Sequence, residues 1–406
     1  MNTNKTIAIP FAFAALALFA QVRLAAQTWE TVDDFQYILG KSSTALGLAA
    51  DNLGNVYVAG YGLDAANVRH ALLMRSSDQG VSWQIVDDYN YGVGTTTELL
   101  NIRPDPAGNL LTVGYALVGS AGPTGRGHWL VRKSADHGAT WQTIDDFSST
   151  NGSAAFPTSI AADSSGNLYT AGYVMPFSGP QRGIALWVVR ESSDGGATWS
   201  TVDVFQYSTL ASTLPVGIAS TPAGVFVAGF GGLHWFVRQS VNAGQSWSIA
   251  DDFLYPNVSG SAMYGFTADT AGNVYTCGGV SVAAVTKKSS TTQNYFVVRK
   301  AVNGASWQTV DTEPNPWALT SFETGDFGMG SDAAGNIYAA GKGVDGQWLV
   351  QKSANQGTGW SVADDFAYGT ASQASGYASD GLGNVYVCGN GTGTMGSRWL
   401  VRKAMP

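Results

Sequence analysis

Among the carboxylates that stand outside the repeated patterns in this chain, Glu98, Glu323 and Asp326 form the plausible catalytic set. Glycoside hydrolysis needs two carboxyl groups roughly 5–10 Å apart across a groove, one protonating the leaving oxygen and one acting as base or nucleophile. Glu98, Glu323 and Asp326 are therefore the candidate catalytic residues. Glu323 and Asp326 belong to one unusually rich stretch, residues 313–326, which also holds Glu313 and Trp317. An aromatic face stacks on a sugar ring, and carboxylates accept hydrogen bonds from its hydroxyls. Trp317 and Glu313 are accordingly candidate ligand-binding residues. Arg103 joins them as a cation at a position where the equivalent residues are small: Ala49, Ala161, Ala219, Thr267, Gly330 and Ala378. Each of these charges also suits a solvated loop, and Trp317 equally suits a loop anchor.

Other apparent chemistry is repeated, and a repeat argues for structure. Asp33-Asp34, Asp87-Asp88, Asp145-Asp146, Asp251-Asp252 and Asp364-Asp365 look like acid–base pairs, but neighbours on a strand point to opposite faces. Arg75, Arg132, Arg190, Arg238, Arg299 and Arg402 recur near one strand end and are read as structural too. His70, His128 and His234 start or precede strands of separate units, so no metal site is expected. No phosphate loop or nucleophile elbow occurs, and no cofactor is implied.

The elements that position these residues are set by an eight-residue pattern, S-x-D-x-G-x-[ST]-W. Full copies are Ser76, Asp78, Gly80 and Trp83; Ser134, Asp136, Gly138 and Trp141; and Ser192, Asp194, Gly196 and Trp199. Degenerate copies end at Trp247 and Trp360, with Asn242 and Asn355 in place of Asp, and a copy one residue shorter ends at Trp307. Each follows a short apolar run and precedes an alternating one, which predicts a β-hairpin connection. A second turn pattern, D-x-x-G-N, recurs between two further strand signals, as at Asp163 to Asn167. The tryptophans Trp29, Trp83, Trp141, Trp199, Trp247, Trp307 and Trp360 are spaced 54, 58, 58, 48, 60 and 53 residues apart. A four-stranded unit of that period is a propeller blade. The expected fold is all-β: a seven-bladed propeller over residues 27–406, closed by the N-terminal strand Trp29 to Phe35 completing the last blade beside Trp399 to Arg402.

The hairpin pattern resembles the Asp-box, or bacterial neuraminidase repeat, family of β-propellers. The resemblance spans the whole propeller and implies its fold. It leaves function open, because members include sialidases, xyloglucan-degrading glycoside hydrolases, sortilin-type receptors and a photosystem assembly factor. A sialidase would carry an Arg-Ile-Pro segment near its start, and none occurs here.

Composition narrows the rest. Only 12% of residues are charged, 51 are Gly, and the net charge is −8 without a basic run, so nucleic acid is not an expected partner. Met1 to Ala26 reads as a signal peptide, with Lys5 before an apolar stretch and Leu24-Ala25-Ala26 before the cut. Export follows, with no membrane span left after cleavage. Cys277 and Cys388 occupy the same position in different units, so they are expected as separate small core fillers. The reading is a secreted, monomeric, non-catalytic binding or scaffold propeller for an extracellular glycan or protein. The alternative is a glycoside hydrolase using rim carboxylates. Repeated turns fill one rim of such a ring, so ligand recognition is expected on the opposite rim, where the variable loops lie.

Overall fold

The computed structural model describes residues 28–51, 53–119, 126–149, 154–176, 179–285, 290–318 and 327–405. The expected signal segment, Glu323 and Asp326 lie outside the described residues. Seven four-stranded antiparallel sheets form the blades, and six of them run outward in chain order from an innermost first strand. Blade one, for example, comprises Ser43–Ala50, Val56–Leu63, Arg69–Ser76 and Gln84–Tyr89. The last blade joins Ala371–Ser379, Val385–Gly393 and Gly396–Ala404 to the N-terminal strand Trp29–Phe35. Trp29 pairs with Ala404 and Phe35 with Trp399, so the strand supplies the missing outer edge, as expected.

The hairpin motif is held by its own side chains. Ser192 Oγ accepts the Gly196 N–H and donates to Asp194, each at 2.8 Å, while Asp194 accepts from the backbone and hydroxyl of Thr198. Ser76 with Asp78, and Ser134 with Asp136, make the same bonds. The turn needs left-handed backbone, with Gly196 at φ 105°.

Blades pack by a knob entering a hole. A third-strand tryptophan lies against a second-strand glycine of the following blade: Trp129 on Gly172, Trp187 on Gly229, Trp235 on Gly278, Trp348 on Gly389 and Trp399 on Gly60. A Cβ at Gly172 would sit 2.5 Å from the Trp129 ring and 2.2 Å from the Phe156 carbonyl oxygen, so no larger residue fits. Cys277 and Cys388 are buried free thiols in separate core clusters.

Ion pairs then stitch the seams. Arg132 reaches Asp87 of the preceding blade through both Nε and Nη2, and Arg190–Asp145, Arg238–Asp203, Arg299–Asp251 and Arg402–Asp364 repeat that geometry. Each guanidinium also lies over an aromatic ring, 3.8–4.8 Å from its centre, namely Tyr89, Phe147, Phe205, Phe253 and Phe366. Arg75 does not belong to this set. Arg132 pairs in register with Thr143, and the corresponding pair in blade one is Met74 with Ile85. Arg75 falls one residue later, on the other face, and donates to Asn55. Blade six carries Gln351 in the arginine position.

Candidate functional site

The adjacent aspartates divide their labour by strand alternation. The first of each pair faces the seam, as above. The second faces the outer edge near the variable-loop rim: Asp88, Asp146 and Asp252 lie 2.8, 2.7 and 2.6 Å from the Nδ1 atoms of His70, His128 and His234. Tyr37 and Tyr91 add their hydroxyls to Asp88 and Asp146, and Tyr207 adds its own to His234. Each tyrosine comes from the connection out of the preceding blade, so these clusters tie neighbouring blades together. Among the described residues no group of His, Cys, Asp and Glu is arranged to hold a metal ion.

The central channel is lined by the first strands of all seven blades, which enclose about 70 Å³ between residues such as Gly47, Asn101, Ser159, Gly217, Gly265, Gly328 and Gly376. Arg103 lies in it. Its guanidinium donates to the Leu48 and Ile102 carbonyl oxygens at 3.1 and 3.0 Å, and burial pulls its pKa down. It sits at the end of strand Thr96–Pro104, beside the D-x-x-G-N turns. Glu98 sits near the opposite end of the same strand, so the two do not form one site.

Glu98 is 4% exposed and ion-paired to Arg69 of blade one. Arg69 in turn lies 4.5 Å over the Tyr61 ring. The carboxylate is thus neutralised within a blade seam rather than offered to a groove. Glu313 is on the outer strand of blade five, Gln308–Pro314, half-buried, with burial and then Asp311 raising its pKa. Glu98 lies on the innermost strand of blade two and Glu313 on the outermost strand of blade five.

Trp317 is 3% exposed, and its ring is not free to stack on a ligand. It packs at 6.0 Å from Phe296 and 4.9 Å from Phe327, and approaches Gly341 of blade six. The physical reason is a substitution in the repeat. Blade five has Phe296, and blade one Ala71, where the other five blades carry the third-strand tryptophan, and Trp317 enters from the loop to fill the hole above Gly341. Its rotated origin hid this role in the sequence; the Phe at position 296 was the signal that could have shown it.

No family model and no curated protein matches the sequence. Solved structures do resemble the fold. A GH93 alpha-L-arabinofuranosidase of Fusarium graminearum, solved with arabinobiose, is 9% identical with a TM-score of 0.57, covering 94% of this chain and 98% of that one. A mutant of the Fusarium graminearum arabinofuranosidase with an iminosugar inhibitor is 9% identical with a TM-score of 0.53, covering 91% and 98%. A Hadza microbial sialidase is 12% identical with a TM-score of 0.48, covering 84% and 74%. At such identity the likeness to the arabinofuranosidase structures speaks for the propeller alone, and the chain is an all-β, seven-bladed propeller whose relatives in shape include glycoside hydrolases.

Proposed function

We propose that this chain is an exported binding or scaffold propeller that recognises an extracellular glycan or protein through its variable-loop rim without cleaving it. The observation that carries this reading is the Glu98–Arg69 pair. A catalytic carboxyl must reach substrate and change protonation during the reaction. Glu98 is instead buried, with its charge compensated by a neighbouring blade. The seam aspartates Asp87, Asp145, Asp203, Asp251 and Asp364 are likewise paired with arginines, and the hairpin aspartates with their own turns, which supports recognition over turnover.

The shape relatives suggest which ligands to try first, since one of them was solved with arabinobiose. Arabino-oligosaccharides, sialylated glycans and proteins of the same compartment form the panel. The experiment is an array of these ligands probed with the exported chain and with Glu313→Gln and Glu323→Gln variants. Retention of one ligand class, weakened by either variant, agrees with the reading. Release of free sugar that Glu323→Gln abolishes while binding persists would favour the glycoside hydrolase instead. The signal peptide is tested by N-terminal sequencing of exported material, where a start near Gln27 is expected and an intact Met1 would contradict it.

A further inference from the structure

Two of the seven seams lack the stitching arginine, and they are resolved differently. Where blade six carries Gln351, the facing Asp311 accepts the Gly359 N–H at 2.7 Å, so the chain satisfies that carboxylate itself. Where blade one carries Met74, the facing residue is Asp33 of the N-terminal strand, whose Oδ2 is buried without a hydrogen-bond partner. The companion threonine is also gone: Ile85 stands where Thr143 and Thr201 bond their arginines. The aromatic that carries the guanidinium elsewhere is still present as Phe35.

This seam is open. A groove of about 440 Å³ runs between the N-terminal strand and the outer hairpin of blade one, lined by Val32, Asp33, Phe35, Met74, Trp83 and Ile85 among others. Met74, 3% exposed, belongs to the core cluster on which Val32 and Phe35 pack, and its unbranched side chain can repack around an arriving group. Two apolar side chains at the groove, Val81 and Ile85, are 85% and 41% exposed.

We propose that this groove receives an arginine side chain from a partner polypeptide, whose guanidinium pairs with Asp33 and lies over Phe35. The five intact seams show this chemistry worked out in the same fold: a carboxylate approached by Nε and Nη2, with an aromatic face beneath. Arginine suits it better than lysine, because a planar fork matches a carboxylate and stacks on a ring. The apolar rim at Val81 and Ile85 fits residues flanking that arginine. A chain of net charge −8 attracts a cationic segment to begin with. Burial raises the Asp33 carboxyl to about 7, so a cation is held more tightly on the alkaline side of that value. The site lies on the outer wall of the ring, independent of any ligand at the variable-loop rim.

The test uses the exported chain at pH 8 and follows binding by calorimetry and by melting temperature. The probes are N-acetyl-argininamide, its lysine and citrulline counterparts, and the peptide acetyl-Leu-Arg-Leu-amide. The proposal expects saturable binding of the arginine probe, at least tenfold weaker binding of the lysine probe, and none of the neutral citrulline probe. The flanked peptide should bind at least fivefold more tightly than the bare probe. Asp33→Asn, which keeps the shape, should lose the response. Met74→Arg should place the chain's own guanidinium in the seam, raising the melting temperature and abolishing binding. A wild type that does not respond, or an Asp33→Asn variant that responds equally, would overturn the proposal. Equal affinity for bare probe and peptide would overturn its polypeptide part.

Discussion

Asp33 illustrates how far one side chain's neighbours decide its behaviour. Its carboxyl is raised from 3.8 to about 7 by burial, against smaller pulls from a backbone hydrogen bond and Arg398. Between these two values the folded chain holds a proton that the unfolded chain releases. Stability therefore falls as pH rises from about 4 to about 7 and levels off above, a contribution on the order of a few kcal/mol. Asp33→Asn is expected to flatten that slope in denaturant titrations from pH 4.5 to 8. The hairpin aspartates act with the opposite sign. Hydroxyl and backbone donors from Ser82, Thr140 and Thr198 hold Asp78, Asp136 and Asp194 at about 2, so their contribution is present above pH 4 and is lost as pH falls toward 2. Ser192→Ala deletes a buried hydroxyl that serves the Gly196 N–H and Asp194, and should cost about 1–2 kcal/mol by chemical denaturation. The repeated residues were legible in the sequence because they recur. The seam partners were not: an arginine one residue out of register, Arg75, reads like its neighbours until strand pairing shows Met74 in the working position.

At the scale of the element, the seam between blades five and six shows how a repeat tolerates a missing part. Phe296 is too small to fill the hole beside Gly341, and the loop after blade five returns Trp317 to do so. Trp317→Ala should cost about 3–5 kcal/mol and leave any glycan affinity of the folded fraction unchanged. A stable variant with lost affinity would restore the ligand-binding role expected from the sequence. The sequence marked Trp317 as exceptional, which was right, but a lone aromatic beside acids on a loop has the same signature whether it faces a ligand or the core. Burial decides between the two, and burial depends on the neighbouring blade. Likewise Glu98 looked free because its partner, Arg69, lies 29 residues away on another blade.

At the scale of the whole molecule, closure depends on the strand Trp29–Phe35, which supplies the seventh blade's outer edge and the Arg402 contacts to Thr31 and Trp29. Deleting residues 27–36 should lower the melting temperature by well over 10 °C, and an unchanged melting curve would contradict ring closure. This much was readable beforehand, since an unpaired fourth strand at one end and an unpaired third strand at the other leave few alternatives. The function was less readable, because a fold does not by itself imply a function, which lives in the site residues. Recognition without turnover is tested most directly by measuring sugar release by the folded chain at ligand concentrations where binding is saturated. Release at the level of a buffer blank is expected, together with a Glu98→Gln variant that binds as the parent does but is less stable by about 1–3 kcal/mol, having lost its ion pair. Catalytic release by the parent that disappears in a folded, binding-competent Glu98→Gln variant would contradict it.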